Sequence, residues 1–161
     1  MKKGLFIINP SSGKQNFMEK IREICGRLIT DQICNSIETF YTEKKDDALF
    51  KAGSLKAGEY DFVVSVGGDG TLNEVINGIV ISESNTPVAV ISTGTVNDFA
   101  SSLGLPQEPE EFCRMIREFR HKIVDVGAVN NKYFINVVAA GFMSDIGYKV
   151  TKDKKAVMGR L

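Results

Sequence analysis

The chain has 161 residues, 43% of them hydrophobic, enough to bury one core and too few for two full domains. Twenty basic residues cancel twenty acidic ones, so no overall field would hold nucleic acid or an anionic membrane, and no nucleic-acid partner is expected. Cys25, Cys34 and Cys113 are odd in number and form no C-x-x-C or Cys/His cluster, which argues against a disulfide framework and against zinc; they read as reduced, mostly buried thiols. The apolar run after Met1-Lys2-Lys3 stops at Ile8, too short for a signal peptide, and no stretch approaches a transmembrane length, so a cytoplasmic location is expected.

Leu5 to Ile8 predicts a short strand that opens into Asn9-Pro10-Ser11-Ser12-Gly13-Lys14, a cluster of turn formers. That segment reads either as a plain turn or as a phosphate loop built of small hydroxyls, glycine and lysine. Phe17, Ile21, Ile24 and Leu28 then recur at helical spacing in a helix ending near Thr30. Ile37 to Tyr41 predicts a second strand. Thr42 stands at its carboxyl end, where open α/β sheets present ligand-binding side chains, or else it caps a helix before Asp46 and Asp47. That helix, over 46–57, carries Leu49, Ala52 and Leu55 and is stopped by Gly58.

The stretch from Val63 to Gly78 organises the chain. Phe62 to Val66 is a nearly continuous apolar run rich in β-branched residues, suited to a strand buried on both faces, hence to a parallel sheet. It runs into Gly67-Gly68-Asp69-Gly70-Thr71, whose glycines permit positive φ and close approach of a ligand to the main chain. Thr71 and Glu74 fit a capping box, so a helix is expected to begin at or beside Thr71, with its N–H groups and dipole facing the turn as an anion site. Asp69 fits such a site badly. A carboxylate there points to a cation, a sugar hydroxyl or a proton to be moved. Neither the Rossmann nor the Walker pattern is present: Asn73 stands where the last glycine of G-x-G-x-x-G belongs, and Ile8 and Gln15 break the Walker spacing around Gly13-Lys14.

Val88 to Ile91 predicts a fourth strand, and its exit, Ser92-Thr93-Gly94-Thr95-Val96-Asn97-Asp98-Phe99-Ala100, again gathers glycine, hydroxyls and amides. Two such exits side by side form a ligand-binding rim in a parallel sheet, although Asn97 and Asp98 also suit helix caps. Glu108-Pro109-Glu110-Glu111 starts a helix with Phe112, Ile116 and Phe119 on its buried side. The lone His121 reads as a solvated loop residue. Ile123 to Val129, Asn130-Asn131 and Tyr133 to Ala140 predict an antiparallel hairpin. The basic run from Lys149 to Lys155 reads as a solvated face, with a membrane-surface role as the lesser alternative. The expected fold is a doubly wound, mostly parallel α/β sheet over 1–125, with 126–161 the beginning of a β-rich second domain. A chain that opens a second sheet and stops is expected to be truncated, and its strand edges would favour pairing into a homodimer.

With these residues in hand, the sequence resembles the diacylglycerol kinase catalytic-domain family, in particular soluble bacterial lipid kinases related to sphingosine and ceramide kinases. Three motifs carry the resemblance: Asn9-Pro10-Ser11-Ser12-Gly13; Gly67 to Thr71 with Asn73-Glu74 and Asn77-Gly78; and Gly94-Thr95 with Asn97-Asp98-Phe99-Ala100. NAD kinases and phosphofructokinases share the second motif and a similar domain, but the third looks like the lipid kinase branch. The resemblance implies ATP- and Mg²⁺-dependent phosphorylation of a diacylglycerol-like lipid, with peripheral membrane contact following from the substrate. It implies a nucleotide site of Asn9, Pro10, Ser11, Ser12, Gly13, Thr42, Gly67, Gly68, Asp69, Gly70, Thr71, Leu72, Asn73 and Thr95. Glu74, Asn77, Asn97 and Asp98 would support it, and Asp69 would organise Mg²⁺-ATP or the reacting hydroxyl. It places the metal-binding acids and the main proton acceptor beyond Leu161, so no metal ligand and no turnover are expected of this chain alone. Ser92-Thr93 and Val96 depart from the family pattern, which has Pro-Leu or similar and often glycine at these places. The alternatives are an NAD kinase-like enzyme and a non-catalytic nucleotide-binding relative.

Overall fold

The computed structural model describes residues 1–12, 17–94, 97–130 and 132–135. In chain order the elements are β1 (Lys2–Ile8), α1 (Phe17–Thr30), β2 (Cys34–Tyr41), α2 (Asp47–Gly53), β3 (Phe62–Gly67), α3 (Asp69–Ser82), β4 (Val88–Ser92), α4 (Asp98–Ser102), α5 (Pro109–Glu118), β5 (Gly127–Val129) and β6 (Lys132–Phe134). The first four strands form one parallel sheet in the order β2-β1-β3-β4, and β5 and β6 form a separate antiparallel pair.

Leu5 to Ile8 and Phe62 to Gly67 are wholly buried because both faces of the sheet are covered. Alternation decides which face each side chain serves. Phe6, Ile8, Val64 and Val66 pack with Ile21, Ile24 and Leu28 of α1 and with Phe112 and Ile116 of α5. Leu5, Ile7 and Val63 pack on the other side with Ala48 and Ala52 of α2 and Val75 of α3. The sheet is thus doubly wound, as the strand pattern predicts. The three thiols are free. All three belong to the α1/α5 side of the core. Burial, above all, pushes the Cys25 and Cys113 thiols up to about 11.

Several boundaries differ from those expected. Helix α2 ends at Gly53, not at Gly58, because the Ser54 hydroxyl donates to the Lys51 carbonyl at 2.8 Å and closes the last turn; Gly58, at φ +75°, lies in a later turn. Helix α3 starts two residues before Thr71, with Gly68 as its cap in extended backbone. Gly67, Gly68 and Gly70 are not among the positive-φ residues, so this turn uses glycine for the missing Cβ alone. A Cβ on Gly67 would fall 2.5 Å from Thr71 Oγ1. The hairpin forms at 127–134, but Ile123, Val124 and Val126 are exposed instead of continuing β5. In the register that sets Gly127 opposite Phe134, partners for 123–125 fall at 136–138, outside the described residues. His121 is exposed, as expected, with its ring edge-on to Phe119.

Candidate functional site

The chain leaves β1 for β2 on one side and β3 for β4 on the other, and β1 and β3 are neighbours. Their carboxyl ends therefore frame the place where strand order reverses, the usual ligand crevice of an open α/β sheet. Ile8 and Val66 stand opposite each other at this edge, and the Asn9 N–H donates to the Val66 carbonyl at 2.9 Å. Asn9 then spans the crevice: its Nδ2 donates to Thr71 Oγ1 at 3.0 Å, while its Oδ1 accepts the Ser11 N–H at 3.0 Å. Pro10 to Ser12 form a single 3-10 turn. Ser12 Oγ lies 2.8 Å from the Asn9 carbonyl and 2.8 Å from Thr93 Oγ1. The exits of β1, β3 and β4 are thereby joined by side-chain hydrogen bonds.

The β3 and β4 exits also meet through their backbones. Thr93 N–H donates to the Gly67 carbonyl at 2.9 Å, and a Cβ on Gly94 would lie 2.9 Å from Gly68 Cα. Only glycine at 94 permits that approach. Helix α3 begins here with Asp69, half-buried in its first turn, where the positive end of the dipole favours a carboxylate. Gly70 is exposed, and among the described residues a Cβ there would meet nothing within 4 Å.

Of the residues expected at a nucleotide site, Asn9, Pro10, Ser11, Ser12, Gly67, Gly68, Asp69, Gly70 and Thr71 converge on this crevice. Thr42 joins the same rim, its N–H on the Ile8 carbonyl at 2.9 Å; Asp46, not Thr42, is the cap residue of α2. Leu72 is 2% exposed and packs with Val90 and Ala100, so it supports the turn from beneath. The capping box does not form: with Gly68 as cap, Thr71 is the third helical residue, its hydroxyl accepts from Asn9, and no side chain caps the helix. Glu74 therefore lies beyond the position from which it could reach back.

Asn73 is exposed, and its carbonyl accepts from Asn77 Nδ2 at 2.8 Å. Asn77 itself turns to β6, where Nδ2 donates to the Tyr133 carbonyl at 2.8 Å and Oδ1 accepts the Tyr133 N–H at 2.9 Å. The amide imitates a neighbouring strand. Asn97 is the cap residue of α4, as expected, but its side chain makes no capping bond: Nδ2 donates to the Gly94 carbonyl at 2.8 Å and fixes that turn. Its Oδ1 is buried without a hydrogen-bond partner among the described residues. Gly13, Thr95, Val96 and the side chain of Asp98 lie outside the described residues. Thr93 lies at the rim with the rest of the β4 exit, although it was not expected among the site residues, and Gln107 was not expected there at all. Gln107 Oε1 accepts the Ser92 N–H at 2.9 Å, a bond that a proline at 92 would forbid. Among the described residues no group of three His, Cys, Asp or Glu could hold a metal ion, and no helix is long and apolar enough to cross a membrane.

Sheet order and rim together define a doubly wound α/β domain with a polar crevice at its switch point. The model of the diacylglycerol kinase catalytic domain matches residues 3–129. Curated diacylglycerol kinases of Staphylococcus epidermidis and Staphylococcus aureus are 36% and 35% identical over 158 residues, covering 98% of this chain and 49% and 50% of their own lengths. A crystal structure of a diacylglycerol kinase from Bacillus anthracis superposes with a TM-score of 0.72 at 31% identity, over 83% of this chain and 46% of that one. The chain belongs to the diacylglycerol kinase catalytic-domain family, and it spans about half the length of the curated relatives it matches.

Proposed function

We propose that this chain is the nucleotide-binding part of a lipid kinase that transfers the γ-phosphate of ATP to the hydroxyl of a diacylglycerol-like lipid. Gly70 carries this reading. In the first turn of a 14-residue helix, glycine is up to about 1 kcal/mol worse than alanine. Among the described residues no atom near Gly70 demands its missing Cβ. A phosphate seated on the helix N-terminus does, because it must reach the main-chain N–H groups. Membership of the family and the kinase names of its relatives support the rest.

In such a transfer the lipid hydroxyl oxygen bonds to the γ-phosphorus as the bond to the bridging oxygen of ADP breaks, and a base takes the hydroxyl proton. Phosphoryl transfer asks the protein chiefly for positioning and charge neutralisation. Backbone N–H groups at the β3 exit and the hydroxyls of Ser12 and Thr71 are suited to phosphate oxygens. Mg²⁺ is commonly held by one or two carboxylates together with substrate phosphates, and Asp69, half-buried in the first turn of α3, would supply one. The metal would supply neutralisation of the phosphate charge. A lipid acceptor would bring the protein to a membrane surface.

Titration calorimetry of the chain with Mg²⁺-ATP is expected to show one site, weakened roughly tenfold by Asp69→Asn through loss of a charge-assisted contact. Formation of phosphatidic acid from diacylglycerol and labelled ATP tests the acceptor. No binding by the parent chain, or binding indifferent to both Asp69→Asn and Gly68→Val, would refute the proposal.

A further inference from the structure

Thr93 takes no part in the resemblance except as a departure from it, yet it closes the hydrogen-bond chain around the crevice. Ser12 Oγ is within 2.8 Å of two oxygens, the Asn9 carbonyl and Thr93 Oγ1. A carbonyl only accepts, so the single proton of Ser12 points to Asn9. The proton between the two hydroxyls therefore belongs to Thr93. The chain is directional: Thr93 donates to Ser12, Ser12 donates to the Asn9 carbonyl, and the Asn9 amide donates to Thr71 at 3.0 Å. Thr93 is itself anchored by its N–H on the Gly67 carbonyl, and the preceding Ser92 N–H is held by Gln107.

We infer that Thr93 is a positioning residue of the nucleotide site, acting through Ser12; this rests on the ATP-binding reading above. While Thr93 donates to it, the Ser12 oxygen stays in place, and its own proton is free to turn from the Asn9 carbonyl to a phosphate oxygen. Hydroxyl hydrogens rotate to suit their surroundings at little cost, whereas moving the oxygen to another χ1 rotamer would break its bonds to both Asn9 and Thr93. A proline-leucine exit at 92–93 would offer neither the hydroxyl nor the Ser92 donor. The departures at Ser92 and Thr93 thus form one device, which ties the β4 exit to the β1 loop.

The test is calorimetry with Mg²⁺-ATP on the chain carrying Thr93→Val, Thr93→Ser, Ser12→Ala, and Thr93→Val with Ser12→Ala. Loss of one neutral hydrogen bond predicts a roughly three- to tenfold weaker affinity for Thr93→Val. Thr93→Ser, which keeps the hydroxyl, should restore the parent affinity. In the Ser12→Ala background Thr93→Val should add less than about twofold, because the partner through which it acts is gone. Melting temperatures of all four should stay close to the parent's, which separates positioning from general destabilisation. Parent-like affinity in Thr93→Val, or an equal loss with and without the Ser12 hydroxyl, overturns the inference while leaving ATP binding intact. Absence of Mg²⁺-ATP binding in the parent overturns both.

Discussion

At the first turn of α3 a Cβ built on Gly70 meets no atom within 4 Å, whereas one built on Gly78, roughly two turns later, would come 2.5 Å from the Leu49 carbonyl, 2.6 Å from Ala52 Cβ and 2.7 Å from the Gly53 nitrogen. One helix thus uses the same residue in opposite circumstances. Gly78 has an internal reason, the close seam between α2 and α3. Gly70 has none among the described residues, and the difference is what the proposed nucleotide site would explain. The polar side chains divide the same way. Asn9, Ser12 and Thr93 tie loops together around the first turn, while Asn77, farther along, spends its amide on the backbone of β6.

The largest stability effect should come from filling the seam. Overpacking costs up to about 3 kcal/mol, and alanine recovers about 1 kcal/mol of helix propensity. Gly78→Ala should therefore lose roughly 2 kcal/mol, read from the urea midpoint. Next comes Asn77→Ala, which leaves the Tyr133 N–H and C=O unpaired and should cost roughly 1 kcal/mol. That loss should be concentrated in the hairpin, as faster amide exchange at Tyr133 with α3 protection kept. Gly70→Ala should behave in the opposite sense, gaining up to about 1 kcal/mol of stability while weakening Mg²⁺-ATP roughly tenfold. If it were as destabilising as Gly78→Ala, the contrast between the two ends of α3 would fail.

Asp47 should give the smallest effect. Its carboxylate accepts the Glu43 and Lys44 N–H groups at 2.9 Å in the turn before α2, and these amides, Lys44 first, hold it below its usual value of 3.8. A lowered folded value means that this contribution is present above the unfolded pKa and is lost as the pH falls through the folded one. Asp47→Asn should be slightly less stable than the parent near neutrality, with the difference shrinking as the pH falls below 3.8 in acid unfolding curves.

Much of this was legible in the sequence because the signals were local. The buried run at Phe62 to Val66, the periodicity from Phe17 to Leu28 and the Asn-Asn turn each specify their element by spacing alone. What was not legible depended on how elements meet. Thr71 and Glu74 satisfy the capping pattern, but an extended Gly68 starts the helix earlier and hands the Thr71 hydroxyl to Asn9, 62 positions away in the chain. Asn77 reads as part of a glycine-turn motif, yet it pairs with Tyr133, 56 positions away. Thr93 carried a signal, a hydroxyl at a strand's carboxyl end, that became interpretable only once Ser12 stood 2.8 Å from it.

The most direct test of the ligand-facing first turn is a ¹⁵N–¹H titration of the chain with Mg²⁺-ATP. Shift changes should centre on Gly68, Asp69, Gly70 and Thr71, extend to Asn9 and Ser12, and leave Asn77, Gly78 and Tyr133 in place. Changes centred on the second half of α3 or on the hairpin, or none at saturating nucleotide, would contradict the account.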